Sequence, residues 1–235
     1  MKKSNFFIGI FLVFLFPVIC FLVVWNKGGN GHIKMPNYYG NIDSIKDGKL
    51  KGKAAKDTFW STVPNIALTN QLGKQVNLFD DVKGKIVVID FFFTTCKTTC
   101  PKLNSNLKFL QTKYKKVDSI LAFASISVDP LTDSVAALRA YANAIGANHD
   151  KWWFCRGDLQ QIKKYMYNSL HLPDMQASDT ANTSFVHSNK WVLLDVDRNI
   201  RGYYDALDTI EIRRCADDIS LLILEKKHKH FSNKQ

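Results

Sequence analysis

The chain has 235 residues, 46% of them apolar, and its 32 Lys and Arg against 21 Asp and Glu give a net charge of +11. No basic helix with interleaved aromatics and no Gly-rich phosphate loop accompanies that charge, which argues against a nucleic-acid or nucleotide site. The excess is spread over many segments and reads as solvated lysine, with an anionic membrane surface or partner as the sharper alternative.

In chain order, Lys2 and Lys3 precede residues 6–25, a run without a charged side chain. About twenty apolar residues suffice to cross a bilayer as a helix. A cleaved signal peptide would have a shorter apolar core and a small-residue exit. Ile19 is bulky where a lipid-modified cysteine at Cys20 would want a small neighbour, and the run continues to Trp25. The expectation is an uncleaved membrane anchor at 1–27, its N-terminus cytoplasmic and the bulk of the chain on the extracytoplasmic, periplasmic side, where disulfides persist. Residues 28–57, with their glycines and lysines, offer little to bury and read as a flexible linker. Roughly 175 residues remain, enough for one domain. Residues 58–228 are assigned to it, and 229–235 to a basic tail.

The domain is expected to open with a hairpin, 65–68 and 75–78, turning through Asn70 to Gly73. KIVVIDFFF at 85–93 is an unbroken β-branched and aromatic run, suited to a strand buried on both faces in the middle of an α/β sheet. Behind Pro101, Leu103, Leu107 and Leu110 recur at helical spacing, which predicts a helix over 101–114. A second buried strand, 119–128, ends in the Asp129-Pro130 turn, and Thr132 is the expected N-cap of a helix to 144. A strand at 151–155, a helix at 159–169, a loop over 170–184, a hairpin of 190–195 with 200–204, and a last helix over 209–226 complete the reading. That order implies an α/β sheet with parallel and antiparallel parts.

Cys96 and Cys100 fall where the central strand hands over to the helix. Exposed N–H groups and the helix dipole favour thiolate there, and Lys97 acts in the same direction. His187 stands just before the 190–195 strand. A histidine at a strand mouth can reach the end of a neighbouring strand and join the two thiols; the plainer alternative is a loop histidine satisfying a backbone carbonyl. Two thiolates and one imidazole form a soft three-donor set that suits Cu(I), with Zn second, while the imidazole also admits Cu(II). The set lacks the fourth ligand of a closed structural zinc cage.

Taken together, FFFTTCKTTCP, the SISVDP turn with Asp133, and SFVHSNKWVLLD resemble the SCO/SenC family over about residues 58–225. The resemblance implies a thioredoxin-like α/β fold with an N-terminal β-hairpin, preceded by a single transmembrane helix. It further implies a copper protein that assists assembly of the copper site of cytochrome c oxidase. The family's metal ligands fall on Cys96, Cys100 and His187, and the implied partner is the copper-bearing oxidase subunit or another copper or thiol protein, met by a monomer. Two departures stand out: Lys97-Thr98-Thr99 lies between the cysteines, and Val186 precedes the histidine, where many members carry an acidic residue. Both remove negative charge near the metal and bear on affinity and partner recognition.

The enzymatic alternative is a dithiol that reduces partner cysteines, one thiolate attacking and the other resolving the mixed disulfide. No proline follows Pro173, so the cis-proline of ordinary thioredoxins has no counterpart, and the peroxiredoxin pattern before its cysteine is not met. Cys155 and Cys215 could pair if their strand and helix meet, though buried packing is the plainer reading. His149 and His171 have no Cys or acidic partner at a recognisable spacing, and His228 and His230 read as solvated tail.

Overall fold

The computed structural model describes residues 11–28, 35–50, 53–117, 119–172 and 189–232. The chain divides into two compact units, Met1–Met35 and Pro36–Gln235. In the first, wide π-helical turns at Phe11–Leu15 lead into helix α1, Phe16–Gly28. Pro17, which has no N–H to donate, stands where the π-helical turns give way to the α-helix. Among the described residues, no helix is long and apolar enough to cross a membrane. The expected membrane-crossing helix is therefore not found among them; residues 1–10, which hold the start of the uncharged run, lie outside the description.

The second unit begins with an antiparallel pair, β1 (Ile42–Leu50) and β2 (Lys53–Trp60), which forms a sheet of its own. Much of the span expected as a flexible linker is thus strand. Then follow β3 (Ala67–Asn70), β4 (Gln75–Asn77), a short α2 (Leu78–Asp81), β5 (Ile86–Phe92) and α3 (Cys100–Lys113). Next come β6 (Leu121–Ser127), α4 (Val135–Ala144), β7 (Trp152–Arg156), α5 (Leu159–Lys164), β8 (Lys190–Leu194), β9 (Ile200–Asp205) and α6 (Thr209–Ser232). Strands β3 to β9 form one seven-stranded sheet in the order β4-β3-β7-β6-β5-β8-β9. Its centre, β7-β6-β5, is parallel, and both flanks are antiparallel.

All seven residues of β5 are buried, because the run has an apolar layer on each side. Ile86, Val88 and Phe92 pack with Leu103, Leu107 and Leu110 of α3, while Val87, Ile89 and Phe91 meet Leu68, Val76 and Ile162 on the opposite face. The same alternation separates two cysteines: Cys155 belongs to the second layer and Cys215 of α6 to the first. The sheet stands between them, so the pairing left open by the sequence is excluded, and both are free thiols.

Helix boundaries differ from expectation at three places. The N-cap of α4 is Ser134, whose hydroxyl accepts the Ala137 N–H at 3.2 Å, while Thr132 lies in the turn before it. Helix α5 stops at Lys164 and loosens into π-helical turns at Tyr165–Ser169. Helix α6 runs on to Ser232, through the segment expected to start the tail.

Arg201 on β9 is 2% exposed and ties four segments together. It pairs with Asp195 and with Glu225 of α6, each at 3.0 Å, and donates to the carbonyls of Pro36 at 2.9 Å and Asn37 at 3.3 Å. Its guanidinium lies 4.0 Å from the centroid of the Tyr38 ring. A planar fork with five donors can serve so many partners at once, which a lysine cannot. The Tyr39 N–H bonds the Ile200 carbonyl at 2.9 Å, so the segment from Pro36 to Tyr39 is fastened along β9.

Candidate functional site

Beyond Phe92 the chain turns sharply, and the turn is held from below by Asp133, which is fully buried. The Thr94 N–H reaches both Asp133 oxygens at 3.2 Å, and the Thr94 hydroxyl donates to Oδ1 at 2.5 Å. Ser127, at the end of β6, donates to Oδ2 at 2.5 Å. Asp133 is itself positioned by the Asp129 turn, its N–H bonding the Asp129 carbonyl at 2.9 Å while the Asp129 side chain accepts the Thr132 N–H at 3.4 Å. Asp129 is thus the turn-former the sequence suggested.

That loop delivers two thiols to the start of α3. Cys100 is the first residue of the helix and fully buried; Cys96 is 8% exposed. The Thr99 side chain makes no capping bond, and the Cys96 sulfur accepts the Cys100 N–H instead, at 3.3 Å. The sulfur therefore takes part of the role of an N-cap oxygen. Burial alone would raise the Cys96 pKa, but the Cys100 N–H and thiol, with the Thr98 and Thr99 N–H groups, outweigh it and hold this thiol below its ordinary value. Burial pushes Cys100 up to about 12, with Cys96 and Asp90 adding to the rise. The two thiols are therefore unequal, Cys96 shifted toward ionisation and Cys100 away from it, an asymmetry a dithiol exchanger can use.

This asymmetry has a direct readout. Among Cys96, Cys100, Cys155 and Cys215, iodoacetamide at pH 8 should modify Cys96 first, as located by peptide mass spectrometry. Cys155 and Cys215 are buried, and burial pushes both thiols up. Equal labelling of Cys96 and Cys100 in the folded protein would contradict the geometry.

Beneath the thiols lies a buried polar chain. Asp90, 1% exposed on β5, accepts the Ser125 hydroxyl at 2.5 Å, and Ser125 in turn accepts the Trp152 indole N–H at 2.8 Å. Burial raises the Asp90 pKa to about 7 against the pull of Ser125. Nearby, Asn104 of α3 donates to the Tyr141 hydroxyl at 2.8 Å. Burial pushes that phenol up to about 12, with Cys100, Asp90 and Cys96 contributing.

Of the three expected metal ligands, Cys96 and Cys100 come together as the sequence reading has them, while His187 lies in 173–188, outside the described residues. Among the described residues, no three His, Cys, Asp or Glu side chains converge to hold a metal ion. The thiol pair supplies two soft donors. His149 bonds Asn143 at 2.8 Å and Gln71 at 3.1 Å, a structural role. Asp90 and the supporting role of Asp133 escaped the sequence reading. A lone carboxylate inside a run buried on both faces was the available signal for Asp90, since such a group needs a partner.

A sequence model of the SCO1/SenC family matches residues 57–223. The SCO1 protein homolog of Bacillus subtilis is 27% identical over 158 residues, covering 67% of this chain and 80% of its own length. A SCO1/SenC family lipoprotein from Bacillus anthracis superposes with a TM-score of 0.61 at 26% identity, over 69% of this chain and 95% of that one. BsSco, a member of the Sco family of cytochrome c oxidase assembly proteins, gives 0.59 at 25%, over 69% and 94%. The copper-bound ScoI of Arabidopsis thaliana has the same fold, with 0.55 at 22%, over 70% and 99%. A dithiol at the end of the central strand, on a thioredoxin-like fold shared with these proteins and within a family match spanning most of the sequence, assigns this chain to the SCO1/SenC family.

Proposed function

We propose that this protein binds one copper ion through Cys96, Cys100 and His187 and passes it to the copper-bearing subunit of cytochrome c oxidase. The observation that carries the reading is the thiol pair at the start of α3 in a SCO1/SenC chain. Copper is cargo here. Two thiolates from one helix start grip a soft cation, an imidazole completes a three-coordinate shell, and an incomplete shell lets a recipient's ligands replace the donors one at a time. The uncharged run over 6–25 behind Lys2 and Lys3 supports an anchor that holds the domain on the extracytoplasmic side, next to a membrane-bound recipient.

Anaerobic Cu(I) titration of the reduced protein is expected to show one tight equivalent. Serine at Cys96 or Cys100 should abolish it. His187→Ala should weaken it by more than the roughly 10–100-fold typical of losing an outer-shell partner. Copper retention in His187→Ala equal to wild type removes the histidine from the site.

A second reading is favoured by the unequal thiols and by the disulfide switch named for BsSco. In it the same pair cycles between dithiol and disulfide and reduces partner cysteines. That activity needs both sulfurs and not the imidazole, so His187→Ala separates the two readings.

A further inference from the structure

We infer that the end of the sheet opposite the cysteines is a docking face for anionic lipid headgroups, which turns the thiols away from the bilayer. The inference does not depend on what the cysteines do, and it rests on the anchor reading for what brings the domain to a membrane.

Strand order defines the two ends. Strands β5 and β6 run parallel, with Ile86 beside Leu121 and Phe92 beside Ser127. Cys96 and Cys100 follow Phe92 at one end. At the other stand Lys83 and Lys85, leading into β5, and Lys115 and Lys116, in the short turn Lys115–Val117 that leads into β6. The Ile86 N–H donates to the Ile120 carbonyl at 2.7 Å and the Ile120 N–H to the Val117 carbonyl at 3.0 Å, so both lysine pairs share that end. Helix α6 adds Lys226, whose ammonium donates to the Gly84 carbonyl at 2.5 Å. Strand β8 is antiparallel to β5, with Leu194 opposite Val87, so the turn after β8 brings Arg198 there as well. The seven residues of β5 put about 20 Å between these cations and the thiols.

Two features set this cluster apart from solvated lysine. The first is a cleft of about 380 Å³ whose lining includes Phe79, Asp80, Lys83, Lys85, Asp197 and Arg198. Arg198 has a φ of 68°, a left-handed conformation that suits glycine better, and its guanidinium stands 5.9 Å from the centroid of the Phe79 ring. Two carboxylates temper the cleft, but Lys83, Lys115 and Lys116 are exposed and enter no salt bridge among the described residues. Clustered lysines of this kind are drawn to an anionic membrane surface. The second feature is where the chain comes in. Tyr39 is bonded to Ile200, and Arg201 holds the carbonyls of Pro36 and Asn37, at the start of β9 and next to Arg198. The chain that leads from the uncharged run over 6–25 therefore joins this unit at its cationic end. An acidic protein would suit the charge equally, but not the entry of the chain at the same end. The thiol end is less basic: exposed Lys97 and Lys102 are set against Asp208, and Lys190 pairs with Asp205 at 3.5 Å.

The test uses the full chain in nanodiscs of phosphatidylcholine, or of phosphatidylcholine and phosphatidylglycerol in equal parts. A water-soluble acetylating reagent marks the lysines, and peptide mass spectrometry gives the rate at each. In the anionic discs Lys83, Lys115 and Lys116 should react roughly fivefold more slowly than in the neutral ones, and high salt should remove the difference. Lys97 and Lys102 should react alike in both discs and serve as the internal control. The triple variant Lys83→Glu, Lys115→Glu and Lys116→Glu, all at exposed positions, should lose the protection of Lys85 and Lys226. Equal rates at the cationic end in both discs, or equal slowing at Lys97 and Lys102, overturns the docking face. Slowing by soluble polyglutamate in neutral discs, with none from phosphatidylglycerol, makes the face a protein-binding one and overturns the lipid assignment. A chain that enters neither kind of disc overturns the anchor reading and this inference with it.

Discussion

Asp133→Ala is expected to cost about 3–5 kcal/mol of stability and to loosen the thiol clip at the same time. The carboxylate is fully buried and accepts three donors, the Thr94 N–H, the Thr94 hydroxyl and the Ser127 hydroxyl. Hydrogen bonds to a charged group are worth about 1.5–3 kcal/mol each, and they are not additive within one cluster. Thr94 is only partly buried, so water recovers some of the loss on that side. Urea unfolding at pH 7 gives the number. Asp133→Asn, which keeps one acceptor oxygen, should fall roughly midway. Because Thr94 leads directly into Cys96, the alanine variant should also lose the preference of iodoacetamide for Cys96. A loss below about 1 kcal/mol with labelling unchanged would show that the loop stands without its buried brace.

Asp90→Asn is expected to act in the opposite direction, and only at higher pH. The folded-state value is raised from 3.8 to about 7, so between those limits the native protein holds a proton that the unfolded chain has released. Stability contributed by this group therefore falls as pH rises from about 4 to 7 and stays lost above that. Asparagine has no charge to bury, so the variant should escape a penalty of up to about 4 kcal/mol at pH 8 and gain nothing at pH 4. Urea midpoints at the two pH values decide it. A variant no more stable than wild type at pH 8, relative to pH 4, would mean that water or a proton partner reaches Asp90 in the native state.

The element plan was legible because its signals are local. KIVVIDFFF announces a two-faced strand, Pro101 and the leucines behind it announce a helix, and the thiols between them could only sit at the junction. Ser134 against Thr132 shows the resolution of such reading: both are good caps two residues apart, and the neighbouring turn, pinned by Asp129 and Asp133, chose between them. Arg201 could not be read at all. IRGYY gives an arginine on an alternating strand; Asp195 lies just across the hairpin, but nothing local says that Pro36 and Glu225, distant in sequence, will join it. The hairpin β1–β2 was missed for the opposite reason. Its glycines and lysines carry weak strand propensity, and pairing along the ladder supplies what composition does not. The separation of Cys155 from Cys215 followed from which way each residue points, and that depends on a register known only once the sheet is assembled.

Strand β5 lies inside the sheet, with β8 and β9 on one side and β6, β7, β3 and β4 on the other. The sulfurs are therefore rooted in the part of the molecule that opens last, and amides of β5 and β6 should be among the slowest to exchange with deuterium. Any visitor to the cysteines meets a short loop that this strand and the Asp133 brace hold from beneath. Specificity for what lands there then belongs to the rim, where substitutions can accumulate without disturbing the seat.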